Sequence, residues 1–258
     1  MFFAISGFLI TSGAEKRFGS LRGIGVGAFL RLRAARILPC LLILLPVATL
    51  LSLTGLPIFL SRAEETGAPV SFWLVNGAAL TFTMNVLIGR LGWVNYLLGV
   101  LWSLSVEEVF YLAFPLLCRG LRRTALIVAF MLAIIAAGPV WWLYHQGDEG
   151  GFLYAYLASS DGIATGCCAA LLARRYPLQG GWVRLLRPVV CAGMAALYLW
   201  KSIYVTNIWG VTLMAAGTAF LLWTGETLPQ AGVVHRSIMI RAVTWCGRRS
   251  YNTNSGMP

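Results

Sequence analysis

Residues 124–145 read TALIVAFMLAIIAAGPVWWLYH, a run without a single Asp, Glu, Lys or Arg. An α-helix rises 1.5 Å per residue, so about twenty such residues cross the roughly 30 Å hydrocarbon core of a bilayer. Five more apolar stretches of similar length occur along the chain, at 37–60, 101–118, 153–173, 188–204 and 206–224. Together these stretches predict about six full transmembrane helices.

The composition supports the same interpretation. Hydrophobic residues make up 59% of the 258 positions and charged residues only 11%, against about a quarter charged in soluble domains. A soluble globule of this size keeps too much of its area wet to hide so many apolar side chains. We therefore predict an all-α polytopic membrane protein and exclude a soluble enzyme, a disordered chain and a small disulfide-stapled secreted protein.

The positive charge is placed as a membrane topology requires. The net charge is +11, and most Lys and Arg residues lie in four short clusters, at 14–36, 119–123, 174–187 and 235–249. Basic loops between apolar spans are typical of the cytoplasmic side of a membrane protein. A nucleic-acid-binding protein needs a continuous basic face, and the separated clusters give none, so we expect no nucleic-acid partner.

Two shorter apolar segments do not fit a full crossing. Residues 1–13 are too few to span the bilayer and predict an N-terminal partial helix. The clusters 14–36 and 119–123 should lie on the same side, and two spans already separate them, so segment 72–89 must return to the side it starts from. It is predicted to be re-entrant or interfacial, beside an outer cavity that satisfies its backbone.

The residues Trp102, Ser103, Ser105, Glu107 and Glu108 form the first candidate site. They stand at the start of a predicted span, where ionisable groups are costly and usually functional. Paired carboxylates with hydroxyls could orient a sugar hydroxyl or act as a general base. The alternative is structural, because Ser105-x-x-Glu108 matches a capping box and acids suit the first turn of a helix.

Arg33 and Arg36 form the second candidate site, at i and i+3 on one helical face next to the membrane. Guanidinium groups bind phosphates bidentately, so a nucleotide-like donor or a lipid headgroup could dock there. The alternative is that these arginines only set the topology of the loop.

Asp161 is the third candidate, since an acid deep within a predicted span should face a cavity or a cation rather than lipid. Gly162 and Gly166 form a small-residue stripe that allows close helix packing. The six cysteines show no metal-ligand spacing and are interpreted as small core residues, and no metal site is predicted. His145 and Glu149 only superficially mimic a His–acid dyad, because Gly147 and Gly150 place them in a loop.

Four motifs resemble, in order, those of the acyltransferase 3 family of multi-pass membrane O-acyltransferases. They are FFAISGFLIT at 2–11, RAARILP at 33–39, WSLSVEEVFY at 102–111 and DGIATG at 161–166. The resemblance implies transfer of an acyl group, usually acetyl, from acyl-CoA to a hydroxyl of an exported or surface glycan. It also implies an integral protein of a bacterial inner membrane.

The resemblance further implies roles for individual residues. Arg33 and Arg36 would contact the phosphates of CoA on the inner side, and the outer acceptor cavity would be lined by Trp102, Ser103, Ser105 and Glu107. The family's first helix, with its proposed catalytic His, would precede Phe2. We expect residues 1–251 to form an acyltransferase-like domain without its first and last helices, followed by an aberrant polar tail at 252–258.

Two other functions remain open on the sequence. A transporter or flippase is suggested by the intramembrane Asp161 and by the predicted re-entrant segment. A non-catalytic remnant is suggested by the expected loss of helices at both ends. The acyltransferase hypothesis is favoured over both because the four motifs occur in order along the chain.

Overall fold

The computed structural model describes residues 1–145, 153–178, 180–200 and 203–226. The described chain is helical nearly throughout. The helices are α1 Phe2–Phe18, α2 Val26–Ser52, α3 Phe72–Leu80, α4 Met84–Leu91, α5 Tyr96–Gly99, α6 Leu101–Leu121, α7 Thr124–Tyr144, α8 Tyr156–Arg175, α9 Gly181–Trp200 and α10 Ile203–Glu226. The loop acids Asp148 and Glu149, the basic cluster 235–249 and the polar end 252–258 lie outside the described residues.

Five stretches are long and apolar enough to cross a bilayer, and α10 contains a shorter apolar stretch, Trp209–Gly225. The five stretches are Val26–Ser52, Tyr96–Leu121, Thr124–Tyr144, Tyr156–Arg175 and Gly181–Leu199. The predicted all-α polytopic membrane fold is therefore confirmed. The protein is an integral membrane protein.

One predicted boundary was wrong in a way that matters for the site. The span predicted at 37–60 is helix α2, which begins at Val26 and ends at Ser52. Arginine is a good helix former, so the basic residues after Gly25 extend the helix instead of forming a loop. Arg33 and Arg36 therefore lie inside a membrane-spanning helix, two to three turns beyond its start.

Segment 72–89 folds as the two short helices α3 and α4. Each is about 12 to 14 Å long, so neither crosses the hydrocarbon core, as predicted. The chain breaks between them at Phe82, where φ is +54°. The Tyr156 hydroxyl donates to the Phe82 carbonyl at 2.9 Å, and the Asn85 amide donates to the Tyr154 carbonyl at 3.0 Å. Protein groups thus satisfy the irregular backbone at the break.

Helices α1 and α8 run parallel in very close contact. A Cβ at Gly166 would collide with the carbonyl oxygen of Ala4, and a Cβ at Gly7 would collide with that of Ile163. The small-residue stripe that the sequence predicts is confirmed at Gly166, and Gly7 supplies its counterpart on α1. This contact holds α1, which carries one wall of the site described below, against the rest of the bundle.

The close approach of α1 and α8 predicts a strong effect of Gly166→Ala. The added methyl group meets backbone atoms that cannot rotate away, so we expect a loss of about 1–3 kcal/mol in stability. Thermal unfolding of the detergent-solubilised protein measures it. Gly13→Ala on α1, where the new Cβ has no described atom within 4 Å, is the control for adding a methyl group to a helix glycine. Equal unfolding temperatures for the two variants would contradict the packing described here.

Candidate active site

A cavity of about 470 Å³ opens between α1, α2 and α6, within the usual size range of small-molecule sites. Its lining is unusually polar for a bundle of apolar helices because it includes two acids and three arginines. The polar and charged side chains that line it are Ser6, Arg17, Arg33, Arg36, Glu107, Glu108 and Tyr111. Apolar residues of the same three helices complete the walls.

The structure brings together residues that the sequence analysis had placed in two separate sites. Glu107 was expected on the outer side, and Arg33 and Arg36 in an inner loop. All three line the same cavity, because α2 begins eleven residues earlier than predicted and therefore includes both arginines. Both arginines act electrostatically on the carboxylates of Glu107 and Glu108.

The charges are ordered along the helix axes. Arg33 and Arg36 lie about 10 and 15 Å from the start of α2, by the rise per residue. Glu107 lies about 21 Å from the end of α6, at Leu121, by the same measure. Since α2 starts and α6 ends at the basic end of the bundle, defined by Arg17, Arg119 and Arg174, the arginines lie nearer that end than the acids do.

The two carboxylates are buried but incompletely hydrogen-bonded. Glu107 and Glu108 are each only 7% exposed. The Oε1 atoms of both have no hydrogen-bond partner among the described residues. A buried carboxylate oxygen without a donor is costly, so these two atoms are suited to accept hydrogen bonds from a ligand in the cavity.

Tyr111 connects the three walls. Its ring lies beneath the Arg33 guanidinium, with 4.1 Å from Cζ to the ring centroid. Its hydroxyl is hydrogen-bonded to the Ser6 hydroxyl on α1. The stacking fixes the position of the Arg33 side chain against α6. The hydrogen bond between the Tyr111 and Ser6 hydroxyls joins α6 to α1. Tyr111 stands four residues after Glu107, on the same face of α6.

Three cavity-lining residues were not predicted from the sequence as site residues: Ser6, Arg17 and Tyr111. Glu108 was part of the first candidate site, with a capping box as the structural alternative, and the structure contradicts the capping box. Helix α6 begins at Leu101, and Ser105 donates to the Leu101 carbonyl at 3.0 Å. The helical spacing of Tyr111 from Glu107 was a usable signal, whereas nothing local indicated that Ser6 lies across from them.

Three predicted site residues on α6 lie away from this cavity. Trp102 packs edge-on against Phe3 and Tyr154. Ser103 donates to the Val100 carbonyl at 3.2 Å. Ser105 is 1% exposed and accepts a hydrogen bond at 3.3 Å from the backbone N–H of Met84, the first residue of α4.

The position of Ser105 predicts a structural effect of Ser105→Ala. The substitution leaves the Met84 amide at a helix start without its acceptor, so we expect a stability loss of about 1 kcal/mol. Any activity of the cavity, measured per folded molecule, should stay within about threefold of the parent, because a loss near 1 kcal/mol falls on folding rather than on groups that line the cavity. Ser103→Ala serves as the comparison. A large loss of activity at unchanged stability would instead restore Ser105 to the reacting groups.

Asp161 is buried among protein groups. Its carboxylate accepts hydrogen bonds from the Gly162 N–H at 2.6 Å and the Thr212 hydroxyl at 3.2 Å. Its side chain also lies against Gly138 of α7. It does not line the cavity between α1, α2 and α6, and its contacts join α7, α8 and α10. The transport hypothesis was suggested by Asp161 together with segment 72–89, and this placement of Asp161 adds no described pathway to it.

His145 and the cysteines form no site among the described residues. The His145 ring stacks on Trp141, with centroids 3.9 Å apart, and Glu149 lies outside the described chain. Cys118 and Cys167 are buried as expected, whereas Cys40 and Cys191 lie on exposed helix faces. The expectation of core cysteines therefore holds only for part of the set.

Fold and cavity define an integral membrane protein with an acid-and-arginine site inside its helical bundle. The sequence profile of a family described as an acyltransferase domain matches residues 1–252. The chain belongs to this family, the acyltransferase 3 family.

Two curated relatives are similar to this chain. The O-acetyltransferase OatA of Staphylococcus aureus (strain NCTC 8325 / PS 47) is 25% identical over 181 residues, covering 66% of this chain and 29% of the relative. Nodulation protein 10 of Rhizobium leguminosarum bv. viciae is 31% identical over 156 residues, covering 57% of this chain and 39% of the relative. The chain thus matches less than half the length of either relative. No solved structure matches the chain.

Proposed function

We propose that this protein transfers an acyl group, with acetyl as the expected case, from acyl-CoA to a hydroxyl of an extracytoplasmic carbohydrate. The observation that carries the proposal is the single cavity in which Arg33 and Arg36 face Glu107 and Glu108. Family membership supports acyl transfer, and the printed name of the Staphylococcus aureus relative, an O-acetyltransferase, supports acetyl transfer to oxygen.

The arginines are proposed to bind the donor. Arg17, Arg33 and Arg36 line the cavity toward the basic end of the bundle, which the positive-inside rule assigns to the cytoplasm. Guanidinium groups bind phosphates through charged, paired hydrogen bonds that strengthen in a low-dielectric interior. With the donor phosphates held there, the acyl thioester can extend toward the carboxylates further along α6.

The carboxylates are proposed to bind and activate the acceptor. The Oε1 atoms of Glu107 and Glu108 have no partner among the described residues and can accept hydrogen bonds from sugar hydroxyls. In the reaction, Glu107 takes the hydroxyl proton while the oxygen attacks the thioester carbonyl. A C–O bond forms, the C–S bond breaks, and the departing CoA thiolate takes up the proton. The products are an O-acyl ester and free CoA.

Deletion and complementation in the source cell test this proposal. The ester content of extracted surface glycans should fall when the gene is deleted. It should return with the parent gene and with Glu65→Gln, which alters an exposed acid outside the cavity, but not with Glu107→Gln. Unchanged glycan ester content after deletion, or full restoration by Glu107→Gln, would contradict the proposal.

A further inference from the structure

A second cavity, of about 770 Å³, lies at the basic end of the bundle. It is formed by the end of α1 with the turn that follows, the start of α7 and the end of α8. It shares no lining residue with the candidate active site.

The walls of this cavity are apolar and continuous with the lipid-facing surface. Val128 and Leu132 of α7 face Leu171 and Leu172 of α8 across it. Leu132 is 54% exposed and Leu172 is 39% exposed. Both belong to membrane-spanning helices, so their exposed surface is available to lipid. An acyl chain can therefore enter this space from the surrounding bilayer without crossing a polar barrier.

The rim of the cavity is strongly basic. Three guanidinium groups, those of Arg22, Arg174 and Arg175, stand against the single carboxylate of Glu15. Glu15 lies 3.6 Å from Arg174, and one carboxylate cannot neutralise three guanidinium groups, so the lining of the cavity carries excess positive charge. Arg175 is held in place by the hydrogen bond from its Nε to the Tyr176 hydroxyl, at 3.2 Å.

The start of α7 adds to this positive field. Thr124, the first residue of α7, lines the cavity, and the first backbone N–H groups of a helix carry partial positive charge. The cavity thus combines an apolar wall of membrane-spanning helices with an anion-attracting rim at the level where headgroups lie. A soluble anion would leave the apolar wall uncovered, and a zwitterionic lipid would leave the excess charge unmatched.

We propose that this cavity binds one anionic phospholipid. The headgroup phosphate lies between Arg22 and Arg175, and an acyl chain runs between Val128 and Leu132 of α7 and Leu171 and Leu172 of α8. The bound lipid joins the ends of α1, α7 and α8, and so supports α1, which carries Ser6 in the active-site wall. This site does not depend on the proposed acyltransferase reaction.

Native mass spectrometry and thermal unfolding of the full-length protein in detergent test the lipid site. Added phosphatidylglycerol should be retained as a one-to-one adduct and should raise the unfolding temperature, whereas phosphatidylcholine should do neither. Arg22→Gln combined with Arg175→Gln should weaken phosphatidylglycerol retention by at least about tenfold, as expected when charge-assisted contacts are lost.

The matched control removes the same amount of charge elsewhere at the basic end. Arg119→Gln combined with Arg184→Gln alters two exposed arginines that line neither cavity. This double variant should retain phosphatidylglycerol like the parent. Equal retention of phosphatidylcholine and phosphatidylglycerol by the parent, or an equal loss in both double variants, would overturn the proposal, because binding would then follow general charge or hydrophobicity.

Discussion

Glu107→Gln is expected to lower acyl transfer by about 100-fold or more while the protein still accumulates folded in the membrane. The amide has the size of the carboxylate and can still hydrogen-bond, but it cannot take the proton of an acceptor hydroxyl. It also removes a buried negative charge that faces Arg33 and Arg36. The initial rate of ester formation, normalised to folded protein, measures the effect.

Two companion variants sharpen this expectation. Glu65→Gln makes the same chemical change on an exposed loop and should retain the parent rate. Glu108→Gln removes the second carboxylate, whose Oε1 has no partner in the described part of the chain. It should raise the KM for the acceptor, since the proposed role of Glu108 is to hold a hydroxyl. A rate for Glu107→Gln within a few-fold of the Glu65→Gln rate would remove Glu107 from the reaction.

Arg33→Gln and Arg36→Gln are expected to raise the KM for acyl-CoA by about 10- to 100-fold each. A hydrogen bond to a charged group contributes about 1.5–3 kcal/mol, and the surroundings within the bundle strengthen it. The KM for the acceptor should change much less, because the arginines lie nearer the basic end than the carboxylates do. Steady-state kinetics with each substrate varied in turn separate the two effects.

Arg31→Gln is the matched control for these variants. Arg31 belongs to the same helix and carries the same charge, but its Nε donates to the Gly27 carbonyl and its side chain does not line the cavity. Its KM for acyl-CoA should equal that of the parent. If all three variants raise KM equally, the arginines act through the general charge of the region and the proposed donor site is wrong.

Hydropathy was enough to predict the membrane-spanning helices because it is a local property of each segment. The run at 124–145 becomes α7 with nearly the same bounds. Gly166 likewise indicated close packing without its partner being known. That segment 72–89 does not cross the membrane was predicted only from the even number of crossings between two basic clusters. Its fold as two helices broken at Phe82 depends on a hydrogen bond from Tyr156, which the local sequence does not show.

The composition of the cavity could not be predicted in the same way. It depends on which faces of α1, α2 and α6 meet, and this is set by packing between residues about a hundred positions apart, such as Ser6 and Tyr111. The start of α2 was also misjudged, because arginines serve equally well in a basic loop and in a helix. Because of this wrong helix start, Arg33 and Glu107 were predicted to lie in two separate sites.

Photochemical cross-linking tests the central claim that donor and acceptor groups meet in this one cavity. The unmodified full-length protein is irradiated with an acyl-CoA whose acyl chain carries a diazirine, and the labelled peptides are mapped by mass spectrometry. We expect label on the cavity-lining parts of α1, α2 and α6, around Ser6, Arg33 and Glu107, and competition by unlabelled acetyl-CoA. Competable label confined to other helices would contradict the account.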